Sequence, residues 1–210
     1  KLNTLVDKVD KYLDAYKITE SSRDIAQFVD ELSNWYVRRG RERYWASDMT
    51  DDKIAAYTTL YTVLVTLAKI TAPFTPFMAE SIYQNLVVGF YKDAPESVHL
   101  CDFPIADAAI VDSDLENDMQ FVLDAVQLGR AARNKANIKN RQPLSEVFIL
   151  TDKTVSDVNI LELVADELNV GKCSIVKDKS KFMTYELKPQ LKTLGPKYGK
   201  QLGGIRQFFT

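Results

Sequence analysis

Histidine, cysteine and long apolar runs are scarce in this chain, and each shortage excludes a class of protein. With a single histidine, His99, no motif that needs two histidines is present. The two cysteines, Cys101 and Cys173, lie far apart and have no further ligand at a zinc spacing, so we predict buried free thiols and no metal site. There is no run of about eighteen apolar residues, and the first residues lack the charged-then-apolar order of a signal peptide. We therefore predict a cytoplasmic protein without membrane contact.

The composition of the 210 residues is that of an ordinary globular protein, with 46% hydrophobic and 27% charged residues. The net charge of -2 argues against a uniformly basic protein, but the charge is divided unevenly. Ionisable residues are all acidic from Asp107 to Asp124, and all basic from Arg130 to Arg141 and from Lys188 to Arg206. A basic surface can therefore exist on a chain whose mean charge is slightly negative.

Apolar residues recur at three- and four-residue steps in the first part of the chain, which is typical of amphipathic helices. The first stripe consists of Leu2, Leu5, Val6, Val9, Tyr12, Leu13 and Tyr16. This helix is already under way at residue 1, so we expect the chain to be part of a longer protein. Ser21 and Asp24 have the spacing of a capping box, which predicts the start of a second helix there, with Trp35 on its core side.

Two further helices are predicted from their ends. Thr50 is a good N-cap, and the mainly apolar stretch Ile54–Ile70 should lie centrally. Pro73 should end or kink this helix, while Thr75 and Pro76 can cap and begin the next. We therefore predict a four-helix bundle that extends to about residue 88.

The second part of the chain has a different pattern. Residues 89–112 are predicted to form a long connection with Val98–Leu100 extended against the bundle. A capping box at Ser113–Glu116 begins a helix to about Ala136, with its inward side formed by Leu115, Met119, Val122, Ala125, Val126 and Gly129 or Ala132. Strands are predicted at Val147–Leu150, Ser174–Val176 and Phe182–Leu187, with a helix across Val158–Leu168.

The predicted fold is thus mainly α: a helical bundle with an extended exit segment at 1–105, then a long helix and a small α+β domain at 106–210.

The segment Asn34–Trp45 contains four arginines and two tryptophans. Guanidinium groups bind phosphate through paired hydrogen bonds and stack on bases, and aromatic rings offer planar faces. In a regular helix, Asn34, Arg38, Arg41 and Trp45 lie along one side. This side is suited to contact RNA.

A structural interpretation competes with RNA binding at each of these places. The arginines can pair with the nearby acids Asp30, Glu31, Glu42 and Asp48, and tryptophans are core residues first. The basic residues of Arg130–Arg141 can form either a solvated helix end or a surface that binds phosphates. The last basic group, Lys192, Lys197, Lys200 and Arg206, is equally compatible with a solvated tail.

The pattern Asn-Trp-Tyr-x-Arg-Arg-x-Arg-x-Arg-aromatic-Trp at 34–45 resembles the anticodon-binding region of isoleucyl-tRNA synthetases. Further segments agree with that family in order and spacing: Leu67–Leu86, Ser97–Leu100 with Phe103-Pro104, Ile138–Leu144, Glu167–Val170 and Leu194–Gly199. The resemblance covers nearly the whole chain, and valyl and leucyl enzymes share parts of the first two segments.

The resemblance implies a parent enzyme that joins isoleucine to its tRNA with ATP and Mg and hydrolyses mischarged valine. Class I synthetases activate the amino acid with a His-x-Gly-His and a Lys-Met-Ser-Lys-Ser loop, and this chain contains neither. No glycine-rich phosphate loop is present either. We therefore expect no catalysis and no cofactor here, and a monomer that works beside the catalytic and editing domains of its own polypeptide.

The partner implied is the anticodon stem and loop of isoleucine-accepting tRNA. Asn34 and Arg38 are the best candidates for contact with a base, and Arg41 and Lys139 for contact with phosphates. The full set of candidate tRNA-binding residues is Asn34, Arg38, Arg39, Arg41, Arg43, Trp45, Arg133, Lys139, Arg141 and Lys197. Three alternatives stay open: the same module of a valyl-type enzyme, a helical module for an acidic protein partner, and an enzyme that uses His99 and Cys101.

Overall fold

The structure is a computed structural model, and it describes residues 1–178, residue 180 and residues 198–199. The chain divides into two compact units, Lys1–Asp112 and Ser113–Thr210. Helices predominate among the described residues and one two-stranded sheet is present, which confirms the predicted fold class. The predicted strand Phe182–Leu187 and the basic residues Lys192, Lys197, Lys200 and Arg206 lie outside the described residues.

Seven α-helices and two strands form the described part of the chain. In chain order they are α1 (Leu2–Asp14), α2 (Ile18–Glu31), α3 (Arg41–Trp45), α4 (Asp51–Thr71), α5 (Pro76–Tyr83), α6 (Ser113–Lys135), β1 (Val147–Leu150), α7 (Ile160–Leu168) and β2 (Cys173–Val176). Short π-helical turns at Leu32–Val37 and Gln84–Val88 continue α2 and α5, and 3₁₀ turns lie at Val98–Leu100 and Ala108–Ile110.

The first core lies between α1, α2 and α4. Its buried members are Leu5, Val6, Val9, Ile25, Val63, Leu67 and Ile70. The predicted stripe of α1 is thus confirmed over its middle, but it is wrong for Tyr16, whose side chain is exposed. Because α1 ends at Asp14, Tyr16 lies in a left-handed turn with φ 56° and points away from the core stripe.

Ser21 lies inside α2, so the predicted capping box at Ser21 is wrong. The helix begins three residues earlier, at Ile18. Ser21 is completely buried, and its hydroxyl donates to the carbonyl oxygen of Lys17 at 3.1 Å instead of accepting from the next turn. A serine whose hydroxyl bonds back to the preceding turn is compatible with a helix interior.

The predicted ends of α4 are confirmed. The Thr50 hydroxyl accepts from the backbone N–H of Lys53 at 3.2 Å, and α4 ends at Thr71, two residues before Pro73. Pro76 begins α5 as predicted, but the Thr75 hydroxyl caps nothing there and instead donates to the carbonyl of Thr71 at 3.4 Å. The missing N–H of proline removes one of the groups that a cap would satisfy.

Among the described residues, α4 is the one helix that is long and apolar enough to cross a membrane by length and composition. In this structure α4 packs against α1, α3 and α5. Its buried residues Val63, Leu67 and Ile70 belong to the first core. Burial against these elements accounts for part of the apolar character of α4.

One carboxylate connects the segment after α5 to the bundle. Val98 is buried as predicted, but it begins a 3₁₀ turn, so the expected extended conformation is wrong. The Glu80 carboxylate accepts from the Ser97 hydroxyl and from the Val98 N–H, both at 2.9 Å. The hydrogen bond from Gln84 contributes most to lowering the pKa of Glu80, and the bonds from Ser97 and Val98 lower it further. An ionised Glu80 thus joins this turn to α5.

In the second unit, α6 buries Phe121, Val122, Ala125 and Val126. The predicted inward position of Leu115 is wrong, because this side chain is 56% exposed. A carboxylate takes the interior place one turn further on: Asp118 is buried and accepts from the N–H groups of Ser156 and Asp157. The hydrogen bonds compensate the cost of burying its charge.

The strands β1 and β2 are parallel and in register from Val147 opposite Cys173 to Leu150 opposite Val176. Parallel neighbours need a crossover, and α7 provides it. The predicted strand Val147–Leu150, the helix that ends at Leu168 and a strand over 174–176 are confirmed.

Thr50→Ala should lower the free energy of unfolding by about 1 kcal/mol, because it removes the cap of α4. Urea unfolding followed by circular dichroism measures this change. Thr75→Ala is the matched control, since its hydroxyl makes no cap, and we expect a loss of at most about 0.5 kcal/mol. Equal losses in the two variants would contradict the assignment of the cap.

Candidate nucleic-acid interface

The arginine-rich segment is an interrupted helix. The π-helical turn Leu32–Val37 is followed by Gly40 and the five-residue helix α3. A Cβ atom on Gly40 would lie 2.9 Å from the carbonyl oxygen of Tyr36 and 3.0 Å from the ring of Tyr44. Glycine therefore lets the start of α3 approach the preceding turn closely. π-Helical turns of this kind occur frequently at functional sites.

The predicted polar row consists of two contacting pairs. Asn34 and Arg38 are both exposed, and the Arg38 Nε donates to the carbonyl oxygen of Asn34 at 2.7 Å. The Asn34 amide also donates to the Asp30 carboxylate at 2.7 Å. One turn further on, the Arg41 guanidinium lies 5.0 Å from the centroid of the Trp45 ring. Each pair combines a planar or hydrogen-bonding group with a cation.

The two tryptophans have different environments. Trp35 is half-buried, in partial agreement with its predicted core position. Trp45 is 76% exposed, so the interpretation of this tryptophan as a core residue is wrong. Exposure of an indole beside a guanidinium leaves a planar surface accessible to a ligand.

Aromatic packing holds α3 on α4. The rings of Tyr44 and Tyr57 meet edge to face, with centroids 5.3 Å apart, and the Tyr57 hydroxyl donates to the carbonyl oxygen of Tyr44 at 3.3 Å. Burial is the main cause that raises the pKa of Tyr44 to about 12, and the neighbouring Tyr36 phenol is the second. The Tyr44 phenol therefore stays neutral. A helix of five residues has little stability of its own, and these contacts to α4 supply what it lacks.

Arg43 also belongs to this junction. Its guanidinium donates to both carboxylate oxygens of Asp52 at 2.7 Å. The hydrogen bonds from Arg43 lower the pKa of Asp52, and the carboxylate in turn raises the pKa of Arg43. Asp52 is not among the acids that the sequence suggested as partners, because it lies on the next helix. Arg43 therefore joins α3 to α4, while Arg39 is half-buried beside Gly40.

Arg133 is buried, with 5% of its surface exposed. Its guanidinium donates to four backbone carbonyl oxygens: Lys139 and Gln142 at 3.0 Å, Leu168 at 2.6 Å and Asn169 at 3.2 Å. A guanidinium enclosed in this way has no face left for a phosphate. We therefore withdraw Arg133 from the candidate tRNA-binding residues and assign it to the interior of the second unit.

Lys139 and Arg141 are exposed on the loop between α6 and β1, and Lys135 is exposed in the last turn of α6. Arg130 pairs with Glu167 of α7 at 2.6 Å, and this carboxylate is 5% exposed. The basic run thus contains one buried arginine, one paired arginine, an exposed lysine at the end of α6 and a loop with two exposed cations. Lys197, the remaining candidate, lies outside the described residues.

The Cys101 and His99 side chains do not form a dyad. His99 is exposed, and the half-buried Cys101 thiol donates to the carbonyl oxygen of Ser97 at 3.8 Å. Cys173 is half-buried too, so both thiols are free as predicted but less buried than expected. Within the described residues, no group of three or more His, Cys, Asp or Glu side chains could hold a metal ion.

An arginine beside an exposed tryptophan on a short helix of a helical bundle is an arrangement that can contact nucleic acid. The profile of the family described as "Anticodon-binding domain of tRNA ligase" matches residues 1–149, and the chain belongs to this family.

Relatives extend the similarity to the whole chain. Isoleucine–tRNA ligases of Clostridium novyi and Clostridium acetobutylicum are 55% and 52% identical to it over 99% of its length. Isoleucine–tRNA ligase 2 of Bacillus cereus (strain ATCC 14579) is 42% identical over 98% of the chain. The chain spans only about a fifth of each relative, 20%, 20% and 19% respectively.

Arg133→Met should lower the free energy of unfolding by about 3 kcal/mol, because buried carbonyls would lose a charged donor. Chemical unfolding monitored by circular dichroism measures the loss. Arg141→Met makes the same change at an exposed arginine and should stay within about 0.5 kcal/mol of the parent. A similar stability of both variants would show that the hydrogen bonds of Arg133 contribute little.

Proposed function

We propose that this chain is the anticodon-region tRNA-binding module of an isoleucine–tRNA ligase and that its ligand is isoleucine-accepting tRNA. The family match supports an anticodon-binding module, and the isoleucine–tRNA ligase relatives favour the isoleucyl over the valyl alternative. The observation that carries it in the structure is the exposed pair of Arg41 and Trp45 on α3.

Bases of an anticodon loop are unpaired and can turn outward, so a planar protein group can stack on them. Trp45 offers such a group, because its indole is 76% exposed. Arg41 beside it supplies a positive charge close to the stacked base, where a phosphate of the same nucleotide can reach it. The contacts of Tyr44 and Arg43 with α4 keep this helix in place.

Asn34 and Arg38 form the second contact on this face. The Arg38 guanidinium is held by the backbone carbonyl of Asn34, and the Asn34 amide is held by the Asp30 carboxylate, so both groups lie on the same exposed surface. An amide can read the edge of a base, and a guanidinium can bind a base edge or a phosphate. Arg39 and Arg43 then contribute mainly to the shape of the segment.

In the second unit, Lys139 and Arg141 bind phosphates. Both are exposed on one short loop, so their charges can meet the backbone of an RNA strand without prior loss of a protein ion pair in the described structure. Lys197 remains a candidate of the same kind.

The parent enzyme, in this proposal, is a cytoplasmic monomer that aminoacylates tRNA with ATP and Mg in its catalytic domain and corrects errors in an editing domain. This chain positions the tRNA for those domains and is inactive alone. Its one histidine agrees with that division of labour, since the His-x-Gly-His loop needs two.

The proposed function predicts that the 210-residue chain binds isoleucine tRNA more tightly than valine tRNA in filter binding. Three phosphate contacts, by Arg41, Lys139 and Arg141, imply roughly a 20- to 40-fold loss of affinity when the salt concentration rises fourfold. An unrelated acidic polymer serves as the control ligand. Equal affinity for the polymer and both tRNAs would contradict the proposal and favour a module for acidic proteins.

Trp45→Ala should weaken binding of isoleucine tRNA by about 1–3 kcal/mol, because one stacking surface is lost. Trp45→Phe, which keeps a ring, should recover part of that affinity. The matched control is Phe77→Ala, which removes an aromatic ring that is 89% exposed on α5, away from α3 in the chain. An unchanged affinity of a folded Trp45→Ala variant would remove this tryptophan from the interface.

A further inference from the structure

The loop that carries Lys139 and Arg141 is held by an unusual set of hydrogen bonds. The carbonyl oxygens of four successive residues, Lys139 to Gln142, all accept from side chains. Two side chains provide these donors, Arg133 of α6 and Asn169 at the end of α7. We call these two residues the clamp.

The clamp divides the carbonyls evenly. Arg133 donates to the first and last, those of Lys139 and Gln142, each at 3.0 Å. The Asn169 amide donates to the two between them, Asn140 at 3.2 Å and Arg141 at 3.1 Å. A backbone bond from the Gln142 N–H to the Lys139 carbonyl, at 3.0 Å, closes the turn.

Asn169 reaches the loop because of its backbone conformation. It ends α7 in the left-handed region, with φ 51° and ψ 55°, which asparagine tolerates better than most residues. Its own carbonyl accepts from the Leu144 N–H at 3.2 Å and from Arg133. The clamp and the loop are therefore bonded to each other through both side chain and backbone.

The neighbours of Asn169 fasten it in place. Glu167 pairs with Arg130, and Val170 forms a bridge with Leu144. Leu168 packs so closely on Gly129 that a Cβ atom there would lie 2.4 Å from its side chain. Each residue of Glu167–Val170 thus contacts α6 or the segment that follows the loop.

The clamp has an electrostatic consequence for the loop. Carbonyl oxygens carry partial negative charge, and here they are directed to Arg133 and Asn169 instead of to a ligand. The side chains of Lys139 and Arg141 are exposed. A phosphate that approaches these cations therefore meets fewer repelling carbonyls than it would on a loop of free conformation.

We propose that Arg133 and Asn169 are positioning residues that hold the Lys139–Gln142 loop in the shape that binds the RNA backbone. The inference rests on the proposed function and adds how the second unit takes part in it. Because the loop is ordered before it meets RNA, binding does not bear the entropic cost of ordering it.

Asn169→Gly tests the clamp, because glycine keeps the left-handed backbone and removes only the amide donors. We expect the 210-residue chain with this change to bind isoleucine tRNA about three- to tenfold more weakly. The salt dependence should stay the same, since both cations remain. Asn137→Gly is the matched control: Asn137 also has a positive φ, 54°, but its side chain makes no hydrogen bond within the described residues, and we expect its affinity to be unchanged.

A double-mutant cycle separates positioning from general stabilisation. Lys139→Ala with Arg141→Ala should weaken binding and reduce the salt slope by about 1.4 to 1.8. Added to this pair, Asn169→Gly should have almost no further effect if the clamp acts through the two cations. Two outcomes would overturn the clamp inference but not the proposed function. In the first, the losses of affinity are additive. In the second, Asn169→Gly binds with full affinity although Lys139→Ala/Arg141→Ala binds more weakly.

A different outcome bears on the proposed function. If Lys139→Ala/Arg141→Ala binds as tightly as the parent, this loop is not an RNA contact, and the clamp inference falls with it. The binding face on α3 is judged separately by Trp45→Ala. Amide hydrogen exchange of the Gln142 N–H gives a readout without RNA, and faster exchange in Asn169→Gly than in Asn137→Gly is expected.

Discussion

A guanidinium group whose N–H donors are occupied by protein oxygens cannot also bind phosphate. This constraint decides what each arginine does here. Arg133 donates to four backbone carbonyls and is enclosed. Arg43 donates to both oxygens of Asp52 and joins two helices. Arg41 and Arg141 remain on the surface, where a polyanion can reach them. Arg133 and Arg43, whose donors are engaged within the protein, thus help to hold the segments that carry the exposed arginines.

The same arrangement occurs once in each unit. In the first, Tyr57 and Asp52 of α4 hold the short helix α3, on which Arg41 and Trp45 are exposed. In the second, Arg133 and Asn169 hold a loop on which Lys139 and Arg141 are exposed. Neither α3 nor this loop has enough contacts of its own to be ordered. Both depend on neighbouring elements, which reduces the entropy that is lost when a ligand binds.

The exposure of Trp45 is not explained by the stability of the chain itself. A large aromatic side chain normally contributes to a core, and Tyr44, next to it, does pack on Tyr57. The indole instead faces solvent beside a cation. In the proposed function, stacking on an unpaired base would account for both the exposure and the neighbouring charge.

Much of the architecture follows from local sequence. The Thr50 cap, the stop before Pro73 and the periodic apolar residues of α1 and α4 act within one helix, so they are visible in the order of residues. The pattern at 34–45 likewise identifies the family without any coordinates. Ser21 has the same local signal as Thr50 but is buried inside α2, because packing against other helices decided where that helix begins.

The roles of the individual cations were decided by tertiary structure. Arg133 and Arg141 look alike in a basic run, yet only Arg133 meets the carbonyls of Leu168 and Asn169, about 35 residues away in the chain. Similarly, the partner of Arg43 lies on the next helix, and the π-helical turn changes which way the residues after it face. Sequence determined the helices, the family and the place of the basic segments, since these depend on neighbours along the chain. Burial and hydrogen-bond partners depend on distant segments that meet only in the fold, and therefore the fold alone separated enclosed and paired arginines from exposed ones.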